Sequence, residues 1–203
     1  MTNKEFVKKY FNDAYDVAKG SGVFLETLLG QAILETSSGK SELSRKYNNY
    51  FGIKADKSWK GRSVNMKTRE VFDGKSVNIN SNFRVYDSFK DSARDYIKFL
   101  KENPRYTQGG VFNAKTYQEQ IQAIKNSGYA TGTDYVNSVL RIVNVIKNDI
   151  SSLSKLAEKT KQVVDKGVKK AKQNPFKTGI LVALMIVGGY IILTQTNIIK
   201  IKK

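Results

Sequence analysis

The apolar residues change their period twice along the chain, and this restricts it to a mainly helical fold carrying one small sheet. Phe6, Val7, Tyr10, Phe11, Ala14, Tyr15 and Ala18 recur at helical spacing up to Gly20-Ser21-Gly22, where a helix has to stop. Phe24, Leu25, Leu28, Leu29, Ala32 and Ile33 repeat the pattern up to Ser37-Ser38-Gly39. That predicts a second, largely buried helix with Glu35 in its last turn. From Ser63 the period becomes two: Val64, Met66, Thr68 and Glu70 share one face, Asp73-Gly74 makes a turn, and Val77, Ile79, Ser81 and Phe83 return. This is the pattern of a β-hairpin. The helical period resumes at Ser88-Phe89-Lys90-Asp91, a capping box with Asp in place of Glu, and runs through Leu100 to stop before Pro104. Further helices are expected at about 114–126 and 131–149, the last with Tyr135, Val139, Ile142, Val143 and Ile146 as its inward stripe. The expected class is α+β, mainly helical, with an α lobe and a small β-hairpin lobe.

Beyond residue 150 the pattern thins. Residues 151–174 carry Ser, Lys and Val with a sparse stripe of Leu153, Leu156, Val163, Val164 and Val168, and they read as a helical stalk or a membrane-surface segment. After Pro175, the stretch from Gly179 to Ile199 holds no charge. Twenty-one residues at about 1.5 Å each span roughly the 30 Å of a bilayer core, so a transmembrane helix is expected over 176–199. At the other end, Met1 to Gly20 alternates charges with aromatic residues and forms no continuous apolar core, so no secretory signal is expected.

Cysteine and histidine are both absent. That excludes disulfides, thiolate nucleophiles, Ser-His-Asp triads and a zinc site of the usual ligands, and it leaves carboxylates, hydroxyls and lysines to carry any chemistry. No metal and no cofactor is expected. The formal charge is +17; from Ser151 onward eleven lysines face only Glu158 and Asp165, so the tail holds +9 and residues 1–150 hold +8. Nucleic acid, an anionic membrane and an anionic cell wall would all attract such a chain, and charge ranks none of them.

Glu35 is unusual because it ends an apolar helix stripe, where an ionised carboxylate is costly unless paired or protonated. Restricted water should raise its pKa from about 4.3 toward 6, as a general acid requires. A helix-terminal Glu pointing into solvent would have the same periodicity.

The segment Gln31-Ala32-Ile33-Leu34-Glu35-Thr36-Ser37-Ser38-Gly39-Lys40-Ser41 resembles the catalytic motif of the glucosaminidases of glycoside hydrolase family 73, which includes bacterial autolysins and the flagellar rod-cap hydrolase. Asn48-Asn49-Tyr50-Phe51-Gly52-Ile53-Lys54 resembles a second family motif, Phe83-Arg84-Val85-Tyr86-Asp87-Ser88 a third, and Gly128-Tyr129-Ala130-Thr131 with Tyr135 a fourth. The resemblance covers about residues 25–145. It implies a lysozyme-like α lobe with a small β lobe that cleaves the β-1,4 bond after N-acetylglucosamine in peptidoglycan. It implies that Glu35 is the proton donor, that Glu70 of the hairpin acts as base or positions water, and that Tyr129 orients the substrate or stabilises developing positive charge. Two departures from the family pattern stand out: Ser38 where an aromatic residue is common, and Gly132-Thr133 where Asp-Pro usually follows.

Asn48, Asn49, Tyr50 and Phe51 read physically as a sugar subsite, amides for hydroxyl and acetamido groups and aromatic faces for C–H surfaces, although Phe51 reads equally as core. Tyr135 joins them as a substrate-binding candidate through the fourth motif; Tyr47 and Trp59 are weaker candidates. The expected organisation is a glucosaminidase domain over 1–150, a basic amphipathic stalk over 151–175, the transmembrane helix over 176–199 and a basic tail over 200–203. Expected partners are the peptidoglycan strand, a lipid membrane reached by the stalk and helix, and virion membrane or vertex proteins; nucleic acid is not expected. A wall hydrolase without a secretory signal, held by its C-terminus, would ordinarily face the cytoplasm. A viral protein carried in a virion membrane and delivered during entry resolves this, and a host-lysis enzyme at the host cell membrane is the alternative. Lytic transglycosylase or muramidase cleavage of the same glycan, and an inactive wall-binding protein, are the other readings.

Overall fold

The computed structural model describes residues 1–72, 75–173, 185–187 and 190–192, and it describes no side chains for 69–77 or from 169 onward. The chain divides into two units, Met1–Asn148 and Asp149–Lys203.

The first unit contains α1 (Asn3–Ala18), α2 (Leu25–Thr36), α3 (Glu42–Tyr47), β1 (Ser63–Phe72), β2 (Lys75–Arg84), α4 (Phe89–Glu102), α5 (Pro104–Gln108), α6 (Tyr117–Asn126) and the start of α7 (Tyr135–Gln173). Most helices begin on a side-chain cap. Thr2 and Glu5 form a reciprocal box at α1, while Ser88 accepts from the Asp91 amide at α4 and also donates to its carboxylate. Thr116 and Ser41 cap α6 and α3. The two short helices, α3 and α5, were not expected: at 6 and 5 residues they are too brief to show a period.

α2 is the central element. Thr27, Leu28, Leu29, Gly30, Gln31, Ala32, Ile33 and Thr36 are all buried, so it is enclosed on nearly every side. Gly30 is required by close approach, since a Cβ there would lie 2.8 Å from Val143 Cγ2 and 3.0 Å from Val139 Cγ1 of α7. The buried Gln120 of α6 accepts from the Phe24 amide at 2.8 Å and donates to the carbonyls of Gly22 and Val111, which fixes the entry to α2. At its other end the backbone turns left-handed at Ser37 (φ 50°), Ser38 (φ 60°) and Gly39 (φ 74°). Thr36 Oγ1 accepts from the Gly39 amide and Ser38 Oγ donates to Asn3, and these bonds hold the turn. Glu35 therefore sits one residue from a sharp stop, in the last turn as expected.

β1 and β2 pair antiparallel from Ser63↔Arg84 to Phe72↔Lys75. The base of this hairpin is fastened to the α lobe by a buried ion pair: Arg84 Nη1 lies 2.9 Å from Asp95 Oδ2 of α4, and the Tyr86 hydroxyl donates to the same oxygen at 2.6 Å. The fold class is thus mainly helical with one small two-stranded sheet.

α7 begins at Tyr135 and continues unbroken to Gln173, through the residues expected as a stalk. In the second unit Leu156, Val163 and Val168 are exposed on this helix. The transmembrane helix expected over 176–199 falls largely outside the described residues. Its described parts, β3 (Met185–Val187) and β4 (Tyr190–Ile192), are short strands paired antiparallel and are not helical. Ile, Val and Tyr flanking Gly188-Gly189 favour such a pairing. Among the described residues, no helix is long and apolar enough to cross a membrane.

Candidate active site

The C-terminal turn of α2, the segment after α3, the α4–α5 corner and the loop before α7 surround a cleft of about 640 Å³. Leu34, Glu35 and Phe51 line it on one side and Phe99, Arg105 and Tyr106 on another, with Tyr129 and Tyr135 between.

Glu35 reaches solvent through this cleft. Protein packed around the carboxyl nevertheless pushes its pKa up to about 7, against the opposing effect of a hydrogen bond from Tyr135. Desolvation wins because one neutral donor does not replace the water that a carboxylate loses. A carboxyl titrating near neutrality in a cleft is equipped to give up a proton to a bound oxygen.

The aromatic wall is ordered from behind. The Tyr135 hydroxyl, which lines the cleft with Glu35, accepts from Gln31 Nε2 at 2.7 Å. Gln31 Oε1 in turn accepts from the Tyr96 hydroxyl. Gln31 and Tyr96 are fully buried. The Tyr129 hydroxyl donates to the Phe51 carbonyl at 2.8 Å, and its ring meets Tyr96 edge-on with centroids 5.8 Å apart. Phe51 stacks on Tyr96 at 4.2 Å and 7°. Burial holds the hydroxyls of Tyr129, Tyr135 and Tyr96 well above the usual tyrosine range, and the nearby Glu35 charge adds to this, so all three stay protonated.

Of the residues expected at the site, the structure brings Glu35, Phe51, Tyr129 and Tyr135 to one cleft. Phe51 is buried and also lines the cleft. Asn48, Asn49 and Tyr50 are placed differently. The buried Asn49 spends its amide on the carbonyls of Ile53 and Arg84 and its oxygen on the amides of Phe51 and Ile53. Asn48 adopts a left-handed conformation (φ 50°) at the end of α3 and donates to the carbonyls of Tyr86 and Asp87. Tyr50 packs among Phe6, Tyr10 and Phe89, with its hydroxyl 2.6 Å from that of Tyr10. These three residues shape the segment that carries Phe51: the Asn48 and Asn49 amides bond to backbone carbonyls and the Tyr50 hydroxyl meets that of Tyr10. Trp59 lies against the Arg84 guanidinium at 4.5 Å, and neither it nor Tyr47 lines the cleft. The Glu70 backbone pairs with Val77 in the hairpin, and its side chain lies outside the described residues.

Sequence reasoning missed Gln31 and Asp56. Asp56 is the other carboxylate lining the cleft among the described residues. Hydrogen bonds from Ser58 hold its pKa below the usual carboxylate range, with Arg84 3.6 Å away adding to the effect. Asp56 follows Ala55 in an unpatterned loop and gives no periodic signal. Gln31 lies on the buried face of α2, where a polar residue that demands partners is the available clue.

Comparison with known proteins shows where such an arrangement recurs. The family model described as "Glucosaminidase: Mannosyl-glycoprotein endo-beta-N-acetylglucosaminidase" matches residues 11–148. The chain is 36% identical over 148 residues to the peptidoglycan hydrolase FlgJ of Vibrio parahaemolyticus, an alignment that covers 71% of this chain and 48% of that protein. It is 36% identical over 149 residues to a probable N-acetylmuramidase of Lactococcus lactis subsp. cremoris, covering 70% of this chain and 33% of that one. The structure of a peptidoglycan hydrolase mutant from Sphingomonas sp. A1 superposes with a TM-score of 0.63 at 32% identity, over 70% of this chain and 92% of the other. The chain spans about half the length of the first of these curated relatives.

Proposed function

Because the chain belongs to the glucosaminidase family of glycoside hydrolases, we propose that it hydrolyses the glycan strand of peptidoglycan at the β-1,4 bond after N-acetylglucosamine, with Glu35 as general acid. The observation that carries this is the Glu35 carboxyl on the wall of an aromatic cleft, where burial pushes its pKa up to about 7. In the proposed reaction the protonated Glu35 gives its proton to the glycosidic oxygen as the bond to the anomeric carbon breaks. Tyr129, whose hydroxyl hydrogen is committed to the Phe51 carbonyl, presents an oxygen lone pair toward the developing positive charge. Both carboxylate oxygens of Asp56 are engaged, Oδ1 by Ser58 and Trp59 and Oδ2 by Arg84, so we assign the second carboxylate role to Glu70 of the hairpin.

Digestion of purified peptidoglycan with reducing-end analysis tests this reading. New N-acetylglucosamine reducing ends, absent with Glu35→Gln, are expected. N-acetylmuramic acid ends would make the enzyme a muramidase, a 1,6-anhydro end would make it a lytic transglycosylase, and no cleavage would leave a wall-binding protein.

The second unit belongs to the same proposal as the delivery device. The exposed Leu156, Val163 and Val168 accompany the lysine-rich composition of residues 151–173, which suits attachment to an anionic lipid surface, with the uncharged run that follows as the anchor. On this reading the protein travels in a virion membrane to the wall. Co-flotation with anionic vesicles and detection in purified virions are expected; its presence only in late-infected cells would make it a host-lysis enzyme.

A further inference from the structure

We propose that Gln31 is a positioning residue, which fixes the Tyr135 hydroxyl so that its proton points at Glu35 and thereby sets the pH range over which the acid is loaded. The inference rests on the reading of Glu35 as the acid.

Tyr96 is buried and its hydroxyl hydrogen goes to Gln31, which sets the orientation of the amide. Tyr96 donates to Gln31 Oε1, so the amide is held with Nε2 toward α7, and Nε2 donates to the Tyr135 oxygen at 2.7 Å. Once that oxygen accepts from an amide N–H, its own hydrogen is left for the Glu35 carboxyl, which lines the same cleft. A hydroxyl that could rotate would spend part of its time with the lone pair facing the carboxylate, which repels it. Gln31 removes that freedom. It is fully buried in α2, while Tyr96 lies on α4 and Tyr135 opens α7, so three helices must pack correctly for the relay to close. A buried Gln costs stability unless its amide is satisfied, and here both ends are.

The other groups around Glu35 act differently. Tyr129 and Tyr96 stay protonated and neutral. Lys54, Asp56, Arg105 and Tyr106 line the same cleft, and Asp56 is held ionised. None of these stands in the line from Gln31 to the carboxyl, so changing Gln31 isolates the contribution of Tyr135. A donor aimed at the ionised form favours it, and its loss moves the acid's titration upward.

The experiment uses the full chain. The Glu35 carboxyl is titrated by carbon-13 NMR, and kcat/KM on soluble glycan fragments is measured against pH, for wild type, Gln31→Met, Tyr135→Phe and the double variant. Gln31→Met is expected to move the titration and the alkaline limb of kcat/KM upward by about 0.4–1 pH unit, the equivalent of one hydrogen bond. Tyr135→Phe should move them in the same direction at least as far, and the double variant should match Tyr135→Phe alone. An unmoved titration in a folded Gln31→Met, or an equal further shift in the Tyr135→Phe background, overturns the proposal. Should Gln31→Met fail to fold, Tyr96→Phe removes one oxygen and frees the same amide, and it must shift the titration upward. The NMR titration needs no substrate, so a chain that proves inactive on peptidoglycan refutes the catalytic reading while the relay is judged by itself.

Discussion

The hydroxyl of Tyr129 donates to the backbone carbonyl of Phe51 at 2.8 Å, joining the loop before α7 to the segment that leads into the β lobe. The bond crosses 78 positions of sequence, and both residues line the cleft beside Glu35. It determines which side of the tyrosine oxygen a substrate meets. Tyr129→Phe is expected to lower kcat by about tenfold, the rate equivalent of one lost charge-stabilising contact. The variant should remain folded, since the ring keeps its contact with Tyr96. Steady-state kinetics beside a thermal melt check this.

Activity should fall as pH rises through about 7, where Glu35 loses its proton. Glu35→Gln should remove at least about 100-fold of the rate at all pH values, as expected for a deleted general acid. The same shift has a stability signature. Folded Glu35 keeps its proton up to about 7, whereas an unfolded Glu releases it near about 4.3. Between those values the folded chain binds more protons, so stability declines as pH rises through that window. Glu35→Gln should be more stable than wild type above pH 7, with the advantage vanishing below about 4. Denaturant melts across pH measure it.

The two other acidic candidates separate by mutation. Glu70→Gln should reduce kcat, because the second carboxylate role is assigned to this residue. Asp56→Asn should lower stability and leave kcat within about threefold, since its oxygens serve the loop and Arg84. The reverse pattern would transfer the second carboxylate role to Asp56.

Asp95→Ala removes the 2.9 Å partner of a buried guanidinium, leaving it Asp56 at 3.6 Å, and strips the Tyr86 hydroxyl of its acceptor. The expected loss is about 3 kcal/mol, the usual cost of breaking one side of a buried pair. Replacing both partners, as Arg84→Met with Asp95→Leu, should recover part of that loss. Chemical denaturation of the single and double variants gives the comparison.

Gly30→Ala pushes a methyl to within 2.8 Å of Val143. Overpacking of this kind costs about 1–3 kcal/mol, and the better helix propensity of Ala offsets only about 1 of it. A melting temperature lower by a few degrees is expected. Because α2 carries Glu35 and α7 carries Tyr135, kcat should fall with it.

The sequence by itself determined the features that depend on neighbours three or four positions apart, or two in a strand. The helical stripe that ends at Thr36 placed Glu35 in a final turn, the alternation from Ser63 to Phe83 marked the paired strands, and Ser88 with Asp91 announced a helix start. The motif resemblance added which family such an acid belongs to. Tertiary structure alone decided which motif residues meet at the cleft. Asn49 and Tyr50 stand beside Phe51 in sequence, yet backbone carbonyls claim one and a cluster around Phe6 claims the other. Gln31 meets Tyr135 across 104 positions and Tyr96 across 65. Periodicity carries no information about such contacts, because it reports which face of an element is buried and not what it is buried against. A buried polar group finds its partner only when separate helices pack, and here that packing brings Gln31 to Tyr135 behind the cleft.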